Sequence, residues 1–416
     1  MKIVALGGSG GMGQYAVRTI LGQDRIDEIV IADLDGAAAV RFAEQCGPKA
    51  TGAAVDVTDE EGLDRLLSGA DAIVNTVGPF FRFGPPVLRA AIRAGCDYID
   101  INDDWESTVA MLEMHEQARR AGITAVIGMG ASPGITNLLA VKAIGALDTV
   151  DEVFTGWDLG AAIPEEVSDE PSAAMIHGMH QLTGRIRNFD GGRFVDGKPM
   201  RTHELDYPGI GRCKTWSIGH PESITFPRYY PDLRKSVNVF VTTPSNLWGM
   251  RAIALLVDSH IISLERAAGW AERWEGAGDE VKTTEQYIEE FARFDEDAGR
   301  RLPPLFALAR GKRDGRAATA AAAVLSAPAR GMGGATGVPL GVGLGMLGQL
   351  DGDRHGVFAP EAVIDPDAFF DRLAPLCSPE RLDSADLLLE TRSWESTDLG
   401  ELLRSRLNPA SRASAA

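Results

Sequence analysis

A short apolar strand, Ile3-Val4-Ala5-Leu6, opens the chain and runs into Gly7-Gly8-Ser9-Gly10-Gly11-Met12-Gly13. Gly8, Gly10 and Gly13 fill a G-x-G-x-x-G pattern, and residues 12–21 read as the helix that follows. In such a turn the first glycine permits the tight bend and the second lets the backbone approach a pyrophosphate. The third lets helix and strand pack closely, with the phosphates at the positive helix N-terminus. The pattern alone discriminates little, because 47 of the 416 residues are glycine and Gly343-Leu344-Gly345-Met346-Leu347-Gly348 matches it equally well. Context separates the two copies. The second follows Val338-Pro339-Leu340-Gly341, a poor strand, with no acidic residue at the required distance downstream. The first leads to a strand, Glu28-Ile29-Val30-Ile31-Ala32. That strand ends on Asp33, about 20 residues beyond the last glycine, where the dinucleotide fingerprint places an acid. A carboxylate there accepts hydrogen bonds from an adenosine ribose and repels a 2′-phosphate, so NAD is expected over NADP. Arg41 and Asp35 lie close in sequence, and an arginine can offset that repulsion, which leaves NADP open.

The first third of the chain alternates strand and helix. Helices are expected near 37–45, 60–67, 85–94 and 106–121, and strands at 52–57, 70–75, 98–101 and 123–127. This alternation predicts a doubly wound parallel sheet with its chemistry at the carboxyl ends of the strands. Gly8, Ser9, Gly10, Gly11, Met12, Gly13 and Asp33 are therefore candidate cofactor contacts. So are the strand-end residues Asp56, Val57, Asn75, Val77, Gly78, Pro79 and Asn102. The loop Asp100-Ile101-Asn102-Asp103-Asp104-Trp105 gathers three carboxylates, an amide and an indole, and Asp103 or Asp104 is also a candidate N-cap for the next helix.

Regularity falls after Gly128. Ser132-Pro133-Gly134 forms a turn before a helix at 135–147 with Asn137 near its start. Strand candidates at 150–157, 212–218 and 234–243, mixed with turns, suggest a mostly antiparallel α+β domain. Polar residues available to a site there are His177, His180, His203, Arg212, His220, Glu222 and Arg228. No pair has metal spacing with a third plausible ligand, so no metal is expected. His220 stands out because it occupies a loop after a strand, where functional groups concentrate. Residues 263–299 read as an acidic, solvated helical region, 317–323 as either helix or strand, and 408–416 as a disordered tail.

A net charge of −18 and the lack of a basic cluster argue against nucleic acid as a partner. Residues 331–350 carry no charge over about the length of a bilayer span. They hold eight glycines and Pro339, however, so a buried, closely packed helix is expected there and no membrane partner. Four scattered cysteines, Cys46, Cys96, Cys213 and Cys377, and the absence of a visible secretory signal make the cytoplasm the expected compartment.

The N-terminal glycine turn, residues 75–80, 98–100 and 130–135 with Asn137, then Thr336-Gly337-Val338-Pro339, residues 356–361 and 365–370, together resemble the saccharopine dehydrogenase family. The resemblance spans roughly residues 1–375 in order. It implies an NAD(P)-binding Rossmann domain at 1–134, completed by 335–376. It also implies an inserted substrate and dimerisation domain at 135–334, followed by an extension at 377–416. Hydride transfer at a carbon–nitrogen bond of an amino-acid or polyamine-derived amine or imine, by a homodimer, goes with that family. Three positions depart from saccharopine reductases: Ser132 stands where they carry an aspartate, Asp103, Asp104 and Trp105 where a tyrosine is expected, and residues 156–158 where a cysteine is. A lysine 6-dehydrogenase-like activity fits these departures better than saccharopine reduction. Asp103, Asp104 and His220 are the candidates for the proton role. Trp105, Ser132, Pro133, Trp157, Arg212 and Arg228 are candidates for substrate contact, the arginines by gripping a carboxylate. Gly78-Pro79-Phe80-Phe81-Arg82-Phe83-Gly84 also resembles trans-acting enoyl reductases, so a C=C or C=O reductase and a non-catalytic nucleotide-binding scaffold stay open as alternatives.

Overall fold

A computed structural model describes residues 1–159, 173–275, 302–328, 331–348, 354–378 and 381–395. The first part of the chain is β1 (Lys2–Leu6), α1 (Gly11–Leu21), β2 (Glu28–Asp33), α2 (Gly36–Cys46), β3 (Ala50–Ala54), α3 (Glu60–Leu67) and β4 (Ala72–Asn75). It continues through α4 (Phe80–Ala94), β5 (Asp97–Asp100), α5 (Trp105–Leu112), α6 (His115–Ala121) and β6 (Thr124–Val126). Next come α7 (Ile135–Gly145), β7 (Thr149–Asp158), α8 (Ala173–Gln181), β8 (Ile186–Asp190), β9 (Arg193–Gly197), β10 (Thr202–Tyr207), β11 (Gly211–Ser217) and α9 (Glu222–Tyr229). After them lie β12 (Lys235–Val241), α10 (Pro244–Asp258), α11 (Leu264–Glu275), β13 (Leu305–Arg313), β14 (Arg316–Val324), β15 (Ala327–Pro328) and α12 (Gly331–Leu347). The last elements are β16 (Gly356–Phe358), α13 (Pro360–Val363), α14 (Pro366–Leu373), β17 (Cys377–Ser378), α15 (Ser384–Leu387) and β18 (Leu388–Arg392).

The first sheet is parallel throughout, in the order β16–β6–β5–β4–β1–β2–β3. Its central strands are buried on both faces, as the run Ile3 to Leu6 shows, and so read as continuous apolar stretches. The chain reverses direction across the sheet between β1 and β4, which opens a crevice at the carboxyl ends of those strands. The second sheet is mostly antiparallel, as expected, with a single parallel pair, β12–β7, at its centre; β10, β11, β13, β14 and β18 continue it antiparallel on either side. One core extends from the first sheet through α7 onto the inner face of the second, where Ala307, Ala309, Ala320 and Ala322 lie. Those alanines explain why 317–323 is a strand. Small side chains let α7 lie close to the sheet, and pairing on both edges overrides helical propensity.

Three local expectations need correction. The helix expected at 106–121 is two helices, broken at Glu113 and Met114. Leu112 and Met114 are both buried in the same core, and residues two apart cannot share one helix face. Helix α4 begins at Phe80, well before Pro85, because its first N–H groups find partners in the tertiary structure (below). The third strand closes at Ala54, and Asp56 instead forms a turn that accepts from Thr58 N–H at 2.9 Å.

The decoy glycines 343–348 fall largely in α12, a helix, and not in a strand–turn–helix unit. Gly337, Gly341 and Gly345 recur every fourth residue and face α1. A Cβ at Gly337 would stand 2.2 Å from Met12 O, and one at Gly341 2.6 Å from Thr19 Cβ. Among the described residues no helix is long and apolar enough to cross a membrane. Of the acidic region, 264–275 is helical; its remainder and the tail at 408–416 lie outside the described residues.

Candidate functional site

The glycine turn has the geometry its residues imply. Gly10 is extended and offers α1 no side-chain cap, so the first N–H groups of that helix are open to an anion. Gly13 must be glycine, since a Cβ would lie 2.2 Å from Gly7 O. Ser9 Oγ donates to Asp33 Oδ2 at 2.6 Å, which fixes the carboxylate at the edge of the turn beside Gly8, Gly11 and Met12. Arg41 turns toward Asp35 at 3.9 Å, with both side chains exposed. Asp56 is exposed and Val57 partly buried at the end of β3, on the same edge of the sheet. The residues present therefore fit a dinucleotide: a bare helix N-terminus for phosphates and a positioned carboxylate for a ribose.

A buried network ties the next strand ends together. Asn75 Nδ2 donates to Tyr98 Oη, and Tyr98 Oη donates to Asp100 Oδ2 at 2.7 Å. Asn75 Oδ1 accepts from Val77 N–H, holding the segment that leads to Gly78 and Pro79. Asp100 Oδ1 accepts from the N–H groups of Asn102 and Gly128. Burial pushes Asp100 up to about 6 in spite of those bonds. The Asn102 amide is spent inside its own loop, donating to Thr108 and accepting from Ser107 and Asp104 N–H, so it shapes the loop.

Asp103 and Asp104 diverge. Asp104 precedes α5 but does not cap it with its side chain; it accepts from Phe81 N–H at 2.9 Å, at the start of α4. His177 on α8 completes that helix start by accepting Phe80 N–H at Nε2 (3.2 Å). Its Nδ1 meets Asp103 Oδ1 at 2.9 Å, and Gln181 Nε2 donates to Asp103 O. Burial pushes the His177 imidazole down, and Asp103 with Asp104 more than offsets this, raising it to about 9. The Phe80 N–H aimed at Nε2 needs a lone pair there, so while that bond is made His177 donates to Asp103 from Nδ1, and protonation favoured by the carboxylates would release Phe80 N–H. Asp103, Asp104 and His177 each offer an atom within 4.8 Å of the others, a spacing that suits a divalent ion. With Nδ1 carrying the proton and Nε2 receiving one, His177 has no lone pair for a metal, and the trio reads as a hydrogen-bonded latch between α8 and the first sheet.

Opposite this latch sits a more concentrated cluster. Glu222 begins α9 and is fully buried. Its Oε1 accepts from Ser132 Oγ at 2.9 Å, Thr136 Oγ1 at 3.0 Å and Asn238 Nδ2 at 2.8 Å. Its Oε2 lies 3.1 Å from His220 Nδ1. Burial pushes Glu222 up, and the His220 imidazole with the Ser132 hydroxyl more than offsets this, holding it below its ordinary value. An ionised carboxylate only accepts, so His220 donates from Nδ1 and presents a lone pair at Nε2. The Trp157 ring packs on His220 at 4.7 Å. Burial also pushes Asp103 up, and His177 first, with a smaller contribution from His220, holds it below its ordinary value.

Glu361, carried back by β16 and α13, completes the buried acids. Asn137 Nδ2 donates to Glu361 Oε2 at 2.7 Å. Burial, reinforced by Glu222, pushes Glu361 from 4.5 up to about 7 against the hydrogen bond from Asn137. The folded state then holds a proton that the unfolded chain has lost between those values, so this group's contribution falls as pH rises from 4.5 to about 7. Glu361→Gln therefore removes part of the stability loss across that window relative to the parent, as urea unfolding at a series of pH values will show. An identical pH slope in both proteins contradicts it.

The structure thus gathers Asp103, Asp104, His220, Ser132, Pro133 and Trp157 around one region, with Trp105 at its margin under the Arg187 guanidinium at 5.0 Å. It does not bring Arg212 or Arg228 there. Arg212 is exposed opposite Asp206 near the closed end of the β10–β11 hairpin, and Arg228 is exposed on the last turn of α9. His203 packs against Phe154, where burial and then Lys235 and Arg201 push it down to about 4. Sequence reasoning did not single out Asn238, Thr136, Thr155 or Glu361. The one available signal for Glu222 was its place two residues after His220.

A glycine turn, a strand-end acid and a doubly wound parallel sheet define a protein of dinucleotide-binding fold joined to a second, mixed sheet. Residues 3–126 match the family model described as the saccharopine dehydrogenase NADP binding domain. Saccharopine dehydrogenase (NADP+, L-glutamate-forming) of Saccharomyces cerevisiae is 32% identical over 179 residues, covering 41% of this chain and 37% of that protein. Carboxyaminopropylagmatine dehydrogenase of Synechocystis is 24% identical over 253 residues, covering 57% and 61%. The matched regions thus span between a third and two thirds of those relatives. The solved apo saccharopine dehydrogenase (L-Glu forming) of Saccharomyces cerevisiae shares the fold, with a TM-score of 0.57, 18% identity, and coverage of 94% of this chain and 99% of that one.

Proposed function

We propose that this protein is an NAD(P)-dependent oxidoreductase of saccharopine dehydrogenase type, acting at a carbon–nitrogen bond of an amine or amino-acid-derived substrate. The observation that carries this reading is the His220–Glu222 pair, joined to Ser132 in the turn before α7 and linked to the Asp103 loop through Gln181, which accepts from Gly219 N–H and donates to Asp103 O. A nicotinamide bound at the strand ends would supply or accept the hydride. The protein's part is the proton. His220 Nε2 accepts it from the substrate ammonium on oxidation and returns it on reduction, while Glu222 holds the tautomer and stabilises the imidazolium. Asp103 favours a cationic substrate on the approach side.

Ser132 supports a reaction other than saccharopine reduction. Where saccharopine reductases carry an aspartate in this turn, Ser132 donates to Glu222, so the carboxylate is supplied from α9. That favours a lysine 6-dehydrogenase-like substrate. The exposed apolar side chains Trp248, Leu255 and Ile261 offer a surface for the proposed homodimer, and four cysteines without a disulfide fit a reducing compartment such as the cytoplasm.

The test is an NADH and NADPH titration followed by a coupled screen of diamines, basic amino acids and their imines. Binding of neither cofactor, or reduction of C=C substrates only, defeats the reading. Asp33 gives NAD as the preferred cofactor. Asp33→Asn is expected to weaken NADH by about tenfold and narrow the gap to NADPH, through loss of a charged ribose contact and of the repulsion toward phosphate. Tighter NADPH than NADH binding by the parent protein would remove that role.

A further inference from the structure

Glu361 is a fully buried carboxyl that the proton transfer above does not use, yet it is wired to the residues that do. Its Oε2 accepts from Asn137 Nδ2, and Asn137 Oδ1 accepts from Gly134 N–H at 2.8 Å. Gly134 adopts φ +121° and closes the turn in which Gly130 N–H donates to Pro133 O at 2.8 Å. That turn carries Ser132, and the helix it opens carries Thr136. Both hydroxyls hold Glu222 Oε1, and Thr136 Oγ1 also donates to Ser132 Oγ at 3.2 Å. A link of hydrogen bonds therefore runs from a residue near the end of the described chain, through one turn, to the imidazole of His220. Three segments far apart in sequence meet in it, and none of its members is on the surface.

We propose that Glu361 is a positioning residue for the His220–Glu222 pair, acting through Asn137 and the turn that carries Ser132. This rests on the function proposed above. The geometry gives it a definite chemistry. Glu361 anchors the side-chain amide of Asn137 so that its carbonyl faces Gly134 N–H. Without that anchor the amide is free to rotate, the turn loosens, and Ser132 and Thr136 no longer converge on one oxygen of Glu222. His220 then loses the fixed acceptor that sets its tautomer. The groups that face Glu361 are Asn137 from α7, and Thr225, Glu222, Tyr229 and Tyr230 from α9 and its end. No cation stands among these, so the anchor works by hydrogen bonding and not by charge pairing.

The experiment uses the full chain labelled with 15N-histidine, in parent, Glu361→Ala and Glu361→Gln forms, with Asn137→Ser as a second cut in the same link. The readout is the low-field Nδ1–H proton signal of His220, assigned by its loss in His220→Gln. Glu361→Ala and Asn137→Ser are expected to broaden or abolish that signal. Glu361→Gln retains an oxygen acceptor and is expected to preserve it. Where amine turnover is measurable, Glu361→Ala should lower kcat by about tenfold with KM and NADH affinity within about twofold, and Glu361→Gln should restore kcat. An unchanged His220 signal in Glu361→Ala overturns the proposal. So does a Glu361→Gln protein that behaves like Glu361→Ala, or failure of both Glu361→Ala and Asn137→Ser to fold, which assigns the residue to stability alone. Because the signal does not depend on turnover, a parent protein inactive on every amine refutes the proposed function while the NMR comparison still decides the positioning role.

Discussion

Replacing His220 by glutamine is expected to lower kcat for amine or imine turnover by about 10²–10⁴-fold, the ordinary worth of a positioned acid–base group, and to leave NADH affinity unchanged. The prediction follows from where the two ring nitrogens point. Nδ1 is committed to Glu222, so only Nε2 can exchange a proton with substrate. Glutamine fills similar space and can still donate toward Glu222, but it cannot take up a proton. The loss should therefore appear in kcat, while cofactor titration by fluorescence stays as in the parent. Undiminished kcat in His220→Gln would transfer the proton role to Asp103, a remaining candidate on the loop after β5.

Removal of Glu222 should be the most damaging single change to stability. Glu222→Ala is expected to cost about 3–5 kcal/mol, because it strands buried donors that have no water to turn to. Those donors are Ser132 Oγ, Thr136 Oγ1, Asn238 Nδ2 and His220 Nδ1, contributed by a turn, a helix, a strand and a loop. Urea unfolding measures the loss. Glu222→Gln should recover part of it, since an amide oxygen still accepts from several of the four, yet its NH2 group then faces a donor. A Glu222→Ala protein as stable as the parent would mean that the cluster admits water and that its geometry is not enforced by the fold.

The nucleotide half of the molecule was legible because its determinants are local. A strand, a turn with glycines at fixed offsets and an acid at the end of the next strand all lie within the first 33 residues. Periodicity then carried the reading through β6. The buried polar cluster around Glu222 was not legible in the same way. Asn137 meets Glu361 across 224 residues, and Ser132 meets Glu222 across 90. Nothing in the spacing of those residues announces the contact, and Thr136, Asn238 and Thr155 are unremarkable until the sheets are assembled. Arg212 and Arg228 show the opposite failure: a chemically suitable side chain in a plausible loop or helix, turned to solvent by the register of its element. Asp104 shows a third kind. Its sequence position suits an N-cap of α5, but its carboxylate serves the start of α4 instead, a partner chosen by tertiary structure.

The glycine ridge of α12 has a consequence for how the chain is made. Gly337 and Gly341 press against Met12 and Thr19 of α1, the helix that opens directly from the dinucleotide turn. A nascent chain that has emerged only through β6 has all the turn residues but lacks this support, and it also lacks β16, the outer strand beyond β6. The order of synthesis and the order of assembly therefore differ. The segment carrying the glycine turn waits for one made about 300 residues later, and the apolar flank of α1 stays uncovered in the interval. Contacts this distant in sequence carry a large loop-closure cost and form late. The nucleotide site becomes a finished surface only after the rest of the molecule has been laid down around it.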